Sequence, residues 1–391
     1  MSIPNVRSPA HTHAAVRSYD SAILFVVGAL MTIGVVIVYS ASVTLQGPQL
    51  NVQQWYNTPL RQCVFAVGGF VTMLLFAHLD YRLFAWERRG EWVTSGAFLA
   101  LCAVLLVVVL VIGEEQLGAQ RSLTVLKSPI RMSFQPSELA KVALVIWLAA
   151  FLTRPHAENA SFQRGYIPAL LSAGLIIGLT GIEDFGTAAL MGVVMFCLLL
   201  LAGSRLSHLG GTALLGLAAG AVLIWHKPYR WERIVTFISK EPDASDEGYQ
   251  VMQSLIAIAS GGWWGRGLGA GIQKHGYLPQ DNNDFIFAVL CEELGVIGGV
   301  GVIALFLVLL WRGWRISQHA TEPFGRLLAA GITLMLVIQA AFNIGVVTNS
   351  VPTKGISLPF VSAGGSGVLF LGMAAGLLAS VGRGLVNRTP R

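Results

Sequence analysis

GYLPQDNNDFIFAVLCEELGVIGGVGVIALFLVLLW (residues 276–311) runs from a polar turn straight into an apolar stretch long enough to cross a membrane. A helix rises 1.5 Å per residue, so a hydrocarbon core of ~30 Å takes about 20 residues, and 285–311 meets that length. The turn carries Pro279, Asp281 and Asp284, and the apolar run itself contains Glu292 and Glu293. A charged group at the centre of a span costs roughly 2.5–3.5 kcal/mol on the insertion scale, so such residues are either shielded in a protein cavity or retained for function. This stretch is where chemistry is expected.

Runs of the same kind recur from end to end. The 391-residue chain is 54% hydrophobic and only 12% charged, against about 25% charged in a soluble domain, and its mean hydropathy is +0.66. The expected fold is an all-α polytopic membrane protein, since barrel strands alternate over ~10 residues and these runs do not. Ten spans are expected near 21–43, 60–79, 92–112, 136–152, 166–180, 186–203, 209–226, 285–311, 325–348 and 364–382, with a long extracytoplasmic loop, 227–284, between spans 7 and 8. Only Gly181-Ile182-Glu183-Asp184 separates the fifth and sixth, which a broken or re-entrant segment would also explain. The first run is too long for a signal-peptide core and lacks an A-x-A site, so it reads as a retained span. Residues 1–20 read as a disordered cytoplasmic tail, 21–385 as one transmembrane domain and 386–391 as a cytoplasmic C-terminal tail.

Ten spans place both termini on one side. Arg82, Arg88, Arg89, Arg154, Arg164, Arg205, Arg312, Arg315 and Arg326 fall on that side with the terminal arginines, so both termini are expected in the cytoplasm. Two outer loops break the pattern: 113–135 carries Arg121, Lys127 and Arg131, and 227–284 carries Lys227, Arg230, Arg233, Lys240, Arg266 and Lys274. Positive charge on the outer face fits either an anionic ligand or ordinary solvated loop charge. The net charge of +6 comes from scattered residues with no basic stripe, which argues against nucleic acid. Cys63, Cys102, Cys197 and Cys291 lie in apolar segments without metal or disulfide spacing and read as packing residues.

Within the long loop, Tyr229 to Phe237 mixes aromatics with arginines as an interfacial helix does. Val251, Leu255 and Ile258 recur at helical spacing in a segment that Glu247 and Gly248 would start. Both segments are expected on the membrane surface.

The polar residues of the spans admit two kinds of role. Asp284 is either a helix N-cap or a functional carboxylate, and no Glu or Gln follows to complete a capping box. Gln135-Pro136-Ser137-Glu138 opens the fourth span, with Lys141 one turn on; Glu138 and Lys141 form either a charge-neutralising pair or part of a ligand cavity. Lys354 in Pro352-Thr353-Lys354-Gly355 and the glycines of 362–367 offer an anion site or tight helix packing. Gln339 and Asn343 share one face and read as an interhelical hydrogen-bond pair. Gly265-Arg266-Gly267-Leu268-Gly269-Ala270-Gly271 lacks the P-loop ending and is not a nucleotide site. No HExxH, GxSxG or CxxC motif occurs, so protease, esterase and redox functions find no support.

Three stretches together carry a family signature: 248–295, 134–141 (FQPSELAK) and 343–366 (NIGVVTNSVPTKGISLPFVSAGGS). They resemble the SEDS proteins, the FtsW/RodA polymerases of bacterial peptidoglycan, in order and over about residues 20–385. Gln273-Lys274, Tyr277-Leu278-Pro279 and the PTKG form look more like the division member FtsW than the elongation member RodA. The resemblance implies a glycosyltransferase that polymerises lipid II on the outer face of the cytoplasmic (inner) membrane, at the septum. Its catalytic Asp matches Asp284, its QPSExxK matches Glu138 and Lys141, and the Arg of its GAxRW loop matches Arg121. Ser122 stands where that loop has Trp, Ile182-Glu183 replaces a usual Gln-Pro, and Ala363 replaces a common Tyr.

On that basis the acceptor GlcNAc 4-hydroxyl attacks the anomeric carbon of the donor MurNAc with inversion, and undecaprenyl pyrophosphate leaves. A carboxylate within hydrogen-bond reach takes the hydroxyl proton. Arg121, Lys274 and Lys354 would hold the pyrophosphate charge, with Glu138 and Lys141 near the substrate. No cofactor is certain; a divalent cation (Mg or Mn) would suit the pyrophosphate, but no ligand cluster marks one. The implied partners are lipid II, an FtsI-like class B penicillin-binding transpeptidase and other divisome membrane proteins. The competing expectations are a lipid II flippase and an elongation-type polymerase; a transporter should show inverted repeats with matching broken helices, and none is visible.

Overall fold

The computed structural model describes residues 20–42, 52–86, 93–116, 119–126, 132–155, 157–225, 231, 235, 237, 246–272, 284–352 and 355–383. The expected tails, Asp20 apart, and most of the expected interfacial segment 229–237 lie outside them.

Each apolar run forms a helix: α1 Ser21–Ser42, α2 Val52–His78, α3 Val93–Ile112, α4 Pro136–Leu152, α5 Ile167–Glu183, α6 Phe185–Leu201 and α7 Leu206–Trp225. After the long loop come α9 Ile286–His319, α10 Pro323–Val347 and α11 Ser366–Gly382, preceded by α8 Asp246–Gly261. Seven of these helices are long and apolar enough to cross a membrane. Two helices outrun expectation: α2 starts at Val52, ahead of its crossing part Pro59–His78, and α9 continues to His319.

The charge pair dictates what sits in the middle. A helix carrying Glu138 and Lys141 cannot face lipid, and α4 is buried on nearly every side, Trp147 being half-buried. Around it, α10 and α11 are buried over most of their length, while α7 is almost wholly exposed and packs on α6. The most extensive packing is α2 on α11. Glycine makes that approach possible: a Cβ on Gly372 would collide with the Gly69 carbonyl, and one on Gly376 with the Met73 carbonyl.

The two ends of the bundle differ in chemistry. At one end, Arg312 grips Asp20 at 2.8 Å and Arg82 meets Glu322 at 2.7 Å. At the other, between α3 and α4, lies a three-stranded antiparallel sheet that the sequence pattern did not announce: β1 Glu114–Gln116, β2 Ala119–Leu126 and β3 Met132–Phe134, with Glu115 opposite Gln120 and Leu123 opposite Phe134.

Segment α8 is helical as its spacing implied, but it does not simply lie on a membrane surface. It packs against α9 and α10, and its buried positions are Ser254, Ala257 and Gly261 rather than Val251, Leu255 and Ile258. Small side chains let the backbones approach: a Cβ on Gly261 would collide with the Cys291 carbonyl.

Candidate functional site

The end of the bundle that carries Asp284 is built around a break in α9. Gly295 has φ 73° and ψ −177°, so Ile286–Leu294 forms a buried half-helix ahead of the long remainder. A break frees backbone groups that lipid cannot satisfy, and the glycine-rich segment after α8 satisfies them. Arg266 and Gly267 donate their N–H groups to the Glu292 and Glu293 carbonyls, both at 3.0 Å, and Val296 N–H bonds the Gly262 carbonyl at 2.9 Å. Gly262, Gly265, Gly267 and Gly269 all have positive φ, which is why that motif is glycine-rich without being a nucleotide loop.

The two carboxylates of the half-helix are held by the same segment. Glu292, fully buried, accepts from Ile272 N–H at 2.8 Å; Glu293, equally buried, accepts from Ser40 Oγ at 2.7 Å, and Ser40 in turn accepts from Gly269 N–H. Their hydrogen bonds tie α1, the glycine-rich segment and α9 together.

Asp284 lies in the turn entering this half-helix and is half-buried. The N-cap position falls on Phe285, one residue after Asp284. Its carbonyl accepts a hydrogen bond from Asn343 Nδ2 at 2.8 Å.

On α4, Lys141 Nζ donates to Glu138 Oε1 at 2.9 Å and to Gln339 Oε1 at 2.8 Å. The expected pair therefore exists, and it extends to α10. Gln339 Nε2 donates to the Ser357 carbonyl at 2.9 Å and Asn343 Nδ2 to the Ile356 carbonyl at 2.7 Å, so Gln339 joins α10 to α4 through Lys141, as an interhelical bond, and both amides also hold a loop. Glu138 Oε2 is buried without a hydrogen-bond partner among the described residues. It lies 3.1 Å from where a Cβ on Gly367 would stand. At Gly367 the packing role of the glycines prevails, and the anion near the start of α11 is the chain's own carboxylate.

Loop 355–365 dives into the bundle. Gly34 gives it room, since a Cβ there would stand 2.7 Å from the Val361 carbonyl; this is roughly 12 Å short of the α1 end at 1.5 Å per residue. Phe360 is buried with φ 66°, and Gly365 has φ 52°. Non-helical backbone at such depth persists only inside protein. Ser362 Oγ accepts from Leu358 N–H at 2.8 Å and its carbonyl from Gln62 Nε2 at 3.4 Å.

Two residues singled out only as motif letters complete this end. Asp184 caps α6, accepting from Thr187 N–H at 3.0 Å and Oγ1 at 2.8 Å, and also accepts from Gln135 Nε2 at 3.3 Å. The turn between α5 and α6 is thus a capped connection between two helices. Gln135 N–H donates to Ser366 Oγ at 3.2 Å. An Asp three residues before Thr at a helix start was the available signal. Of the remaining expected site residues, Arg121 is placed on β2, where Ser122 beside it is buried; Lys274 and Lys354 lie outside the described residues. Among the described residues, no group of three or more His, Cys, Asp or Glu is placed to hold a metal ion.

Fold and site together define a polytopic α-helical membrane protein with a buried polar network among α4, α9, α10 and the loop before α11. The family model described as "Cell cycle protein", FtsW/RodA/SpoVE, matches residues 20–386. The chain is 38% identical over 371 residues to stage V sporulation protein E of Bacillus subtilis (strain 168), covering 94% of this chain and 97% of that one. It is 38% identical over 367 residues to the probable peptidoglycan glycosyltransferase FtsW of Geobacter sp. (strain M18), with 94% and 97% covered. Among solved structures, a chain of a peptidoglycan synthase complex that coordinates polymerization and crosslinking superposes with TM-score 0.71 at 26% identity, covering 94% and 98%. The rod shape determining protein RodA of Thermus thermophilus gives 0.65 at 26%, covering 94% and 97%. This chain belongs to the FtsW/RodA/SpoVE family.

Proposed function

We propose that this protein is a peptidoglycan glycosyltransferase that polymerises lipid II, with Asp284 as general base. The observation that carries this is the position of Asp284: half-buried, at the entrance of a buried half-helix, in a chain matched over 20–386 by a family with relatives named as peptidoglycan glycosyltransferases. A base there takes the proton of the acceptor 4-hydroxyl as its oxygen attacks the donor's anomeric carbon, and undecaprenyl pyrophosphate leaves from the opposite face. Arg121, Lys274 and Lys354 supply positive charge for the leaving pyrophosphate; Glu138 and Lys141 shape the adjoining interior. The solved complex that joins polymerization to crosslinking supports a crosslinking transpeptidase as partner. Relatives named FtsW at 36–39% identity support a division role at the septum. The helix break at Gly295 has no counterpart among the described residues of α1–α5, which disfavours an inverted-repeat transporter.

The test is lipid II polymerisation by purified protein, with a transpeptidase partner, comparing Asp284→Asn and Asp281→Asn at matched thermal stability. Asp284→Asn is expected to lose about 10²–10⁴-fold in rate and Asp281→Asn little. Parental turnover by Asp284→Asn would overturn the base assignment. A parent protein that makes no glycan with its partner, yet moves lipid II across liposomes, would make it a transporter.

A further inference from the structure

We infer that Asn343 is a positioning residue for this glycosyl transfer, acting through Asp284; the inference rests on Asp284 being the base. Asn343 is 1% exposed, and its single amide nitrogen has two hydrogens, both engaged. One meets the Asp284 carbonyl at 2.8 Å and the other the Ile356 carbonyl at 2.7 Å. The amide therefore clamps the main chain of the base to the loop that dives into the bundle.

One turn earlier on α10, Gln339 performs the matching task, taking the next carbonyl of that loop, Ser357, at 2.9 Å. Its own oxygen is fixed by Lys141 at 2.8 Å, and Lys141 by Glu138 at 2.9 Å. Adjacent carbonyls of the loop are thus gripped by adjacent turns of one buried helix, and the ladder ends on Asp284. The Asn343 bond relates the Asp284 backbone to α10 at the start of α9.

A general base must stand within about 2.6–3.2 Å of the proton it takes, and a displacement of about 1 Å can cost 10²-fold. No other side chain reproduces the clamp. Leu removes both donors, Asp turns the nitrogen into an acceptor facing two acceptors, and Gln carries both donors on an arm one carbon longer. Asn343 Oδ1 is moreover buried without a hydrogen-bond partner among the described residues, so the side chain is kept for its two donors although its acceptor goes unused.

The experiment uses full-length protein in proteoliposomes with fluorescent lipid II, comparing Asn343→Leu, Asn343→Gln, Asp284→Asn and the Asn343→Gln/Asp284→Asn double variant. Asn343→Leu is expected to lose about 10²-fold in kcat and Asn343→Gln about tenfold, with lipid II affinity and Tm of the Gln variant near parental. In the Asp284→Asn background the Gln substitution should change the rate by less than about twofold, because no base is left to misplace. If residual Asp284→Asn turnover is too slow to compare, the split between kcat and lipid II affinity decides. If Asn343→Leu does not fold, Asn343→Gln carries the test alone. Parental kcat in Asn343→Gln, or a loss that tracks Tm and affinity instead of kcat, overturns the inference while an inactive Asp284→Asn leaves the base assignment standing. An active Asp284→Asn removes the base assignment itself.

Discussion

Lys141 and Glu138 meet at 2.9 Å inside the bundle, with side-chain exposures of 2% and 10%, one turn apart on a helix buried almost all round. Two charges in that setting are tolerable only together, because each alone would be an uncompensated ion in a low-dielectric interior. Glu138→Gln and Lys141→Met are each expected to lose about 3–5 kcal/mol of stability, and the double variant less than the sum. Thermal melts of the three proteins in detergent decide it. Strictly additive losses would show that the contact contributes no coupling.

Gly265 and Gly262 have positive φ of 78° and 54°, and both adjoin the break in α9, Gly262 through its carbonyl, but only at Gly265 would a side chain strike it. Open space surrounds the Cβ position of Gly262, whereas a Cβ on Gly265 collides with the Glu293 carbonyl. Gly262→Ala is expected to cost about 1–2 kcal/mol, the price of a left-handed backbone for a residue with a Cβ. Gly265→Ala should cost upwards of about 3 kcal/mol, because it also pushes the glycine-rich segment off the half-helix. Equal melting temperatures for the two variants would mean that the segment does not lock the break.

Asp184 caps α6 through Thr187 and holds Gln135. Asp184→Ala is expected to cost about 0.5–2 kcal/mol as a lost N-cap, with Asp184→Asn recovering most of it. A loss as large for Asn as for Ala would assign the effect to charge and not to the cap.

Sidedness follows from the ends of the bundle. Arg121 lies on β2, at the end shared with Asp284, while Arg82 pairs with Glu322 at the opposite end. In a background without Cys63, Cys102, Cys197 and Cys291, cysteines replacing Arg121 or Lys354 should react with an impermeant thiol reagent in spheroplasts. Cysteine replacing Arg82 should react only after disruption. The reverse pattern would place Asp284 in the cytoplasm and exclude the proposed reaction there.

The sequence by itself determined the helices, because length and apolar content are local properties that a ~30 Å slab selects directly. It also determined the Glu138–Lys141 contact, since residues three apart on one helix share a face, and the helix at 246–261 through its spacing. Which face of that helix is buried was not local. Ser254, Ala257 and Gly261 win over Val251, Leu255 and Ile258 because close backbone approach to α9 favours small side chains and apolar ones are at no disadvantage facing lipid. The sheet at 114–134 escaped because its outer strands span three residues each and short, partly polar strands carry little alternation. The break at Gly295 and the hold of Asn343 on Asp284 only the tertiary structure decided. Glycine is common in membrane helices, so Gly295 marks a break only once the carbonyls of 262 and 263 approach it. Asn343 reaches a carbonyl 59 residues away in the chain, and a hydrogen bond between residues so far apart exists only when packing has set the distance.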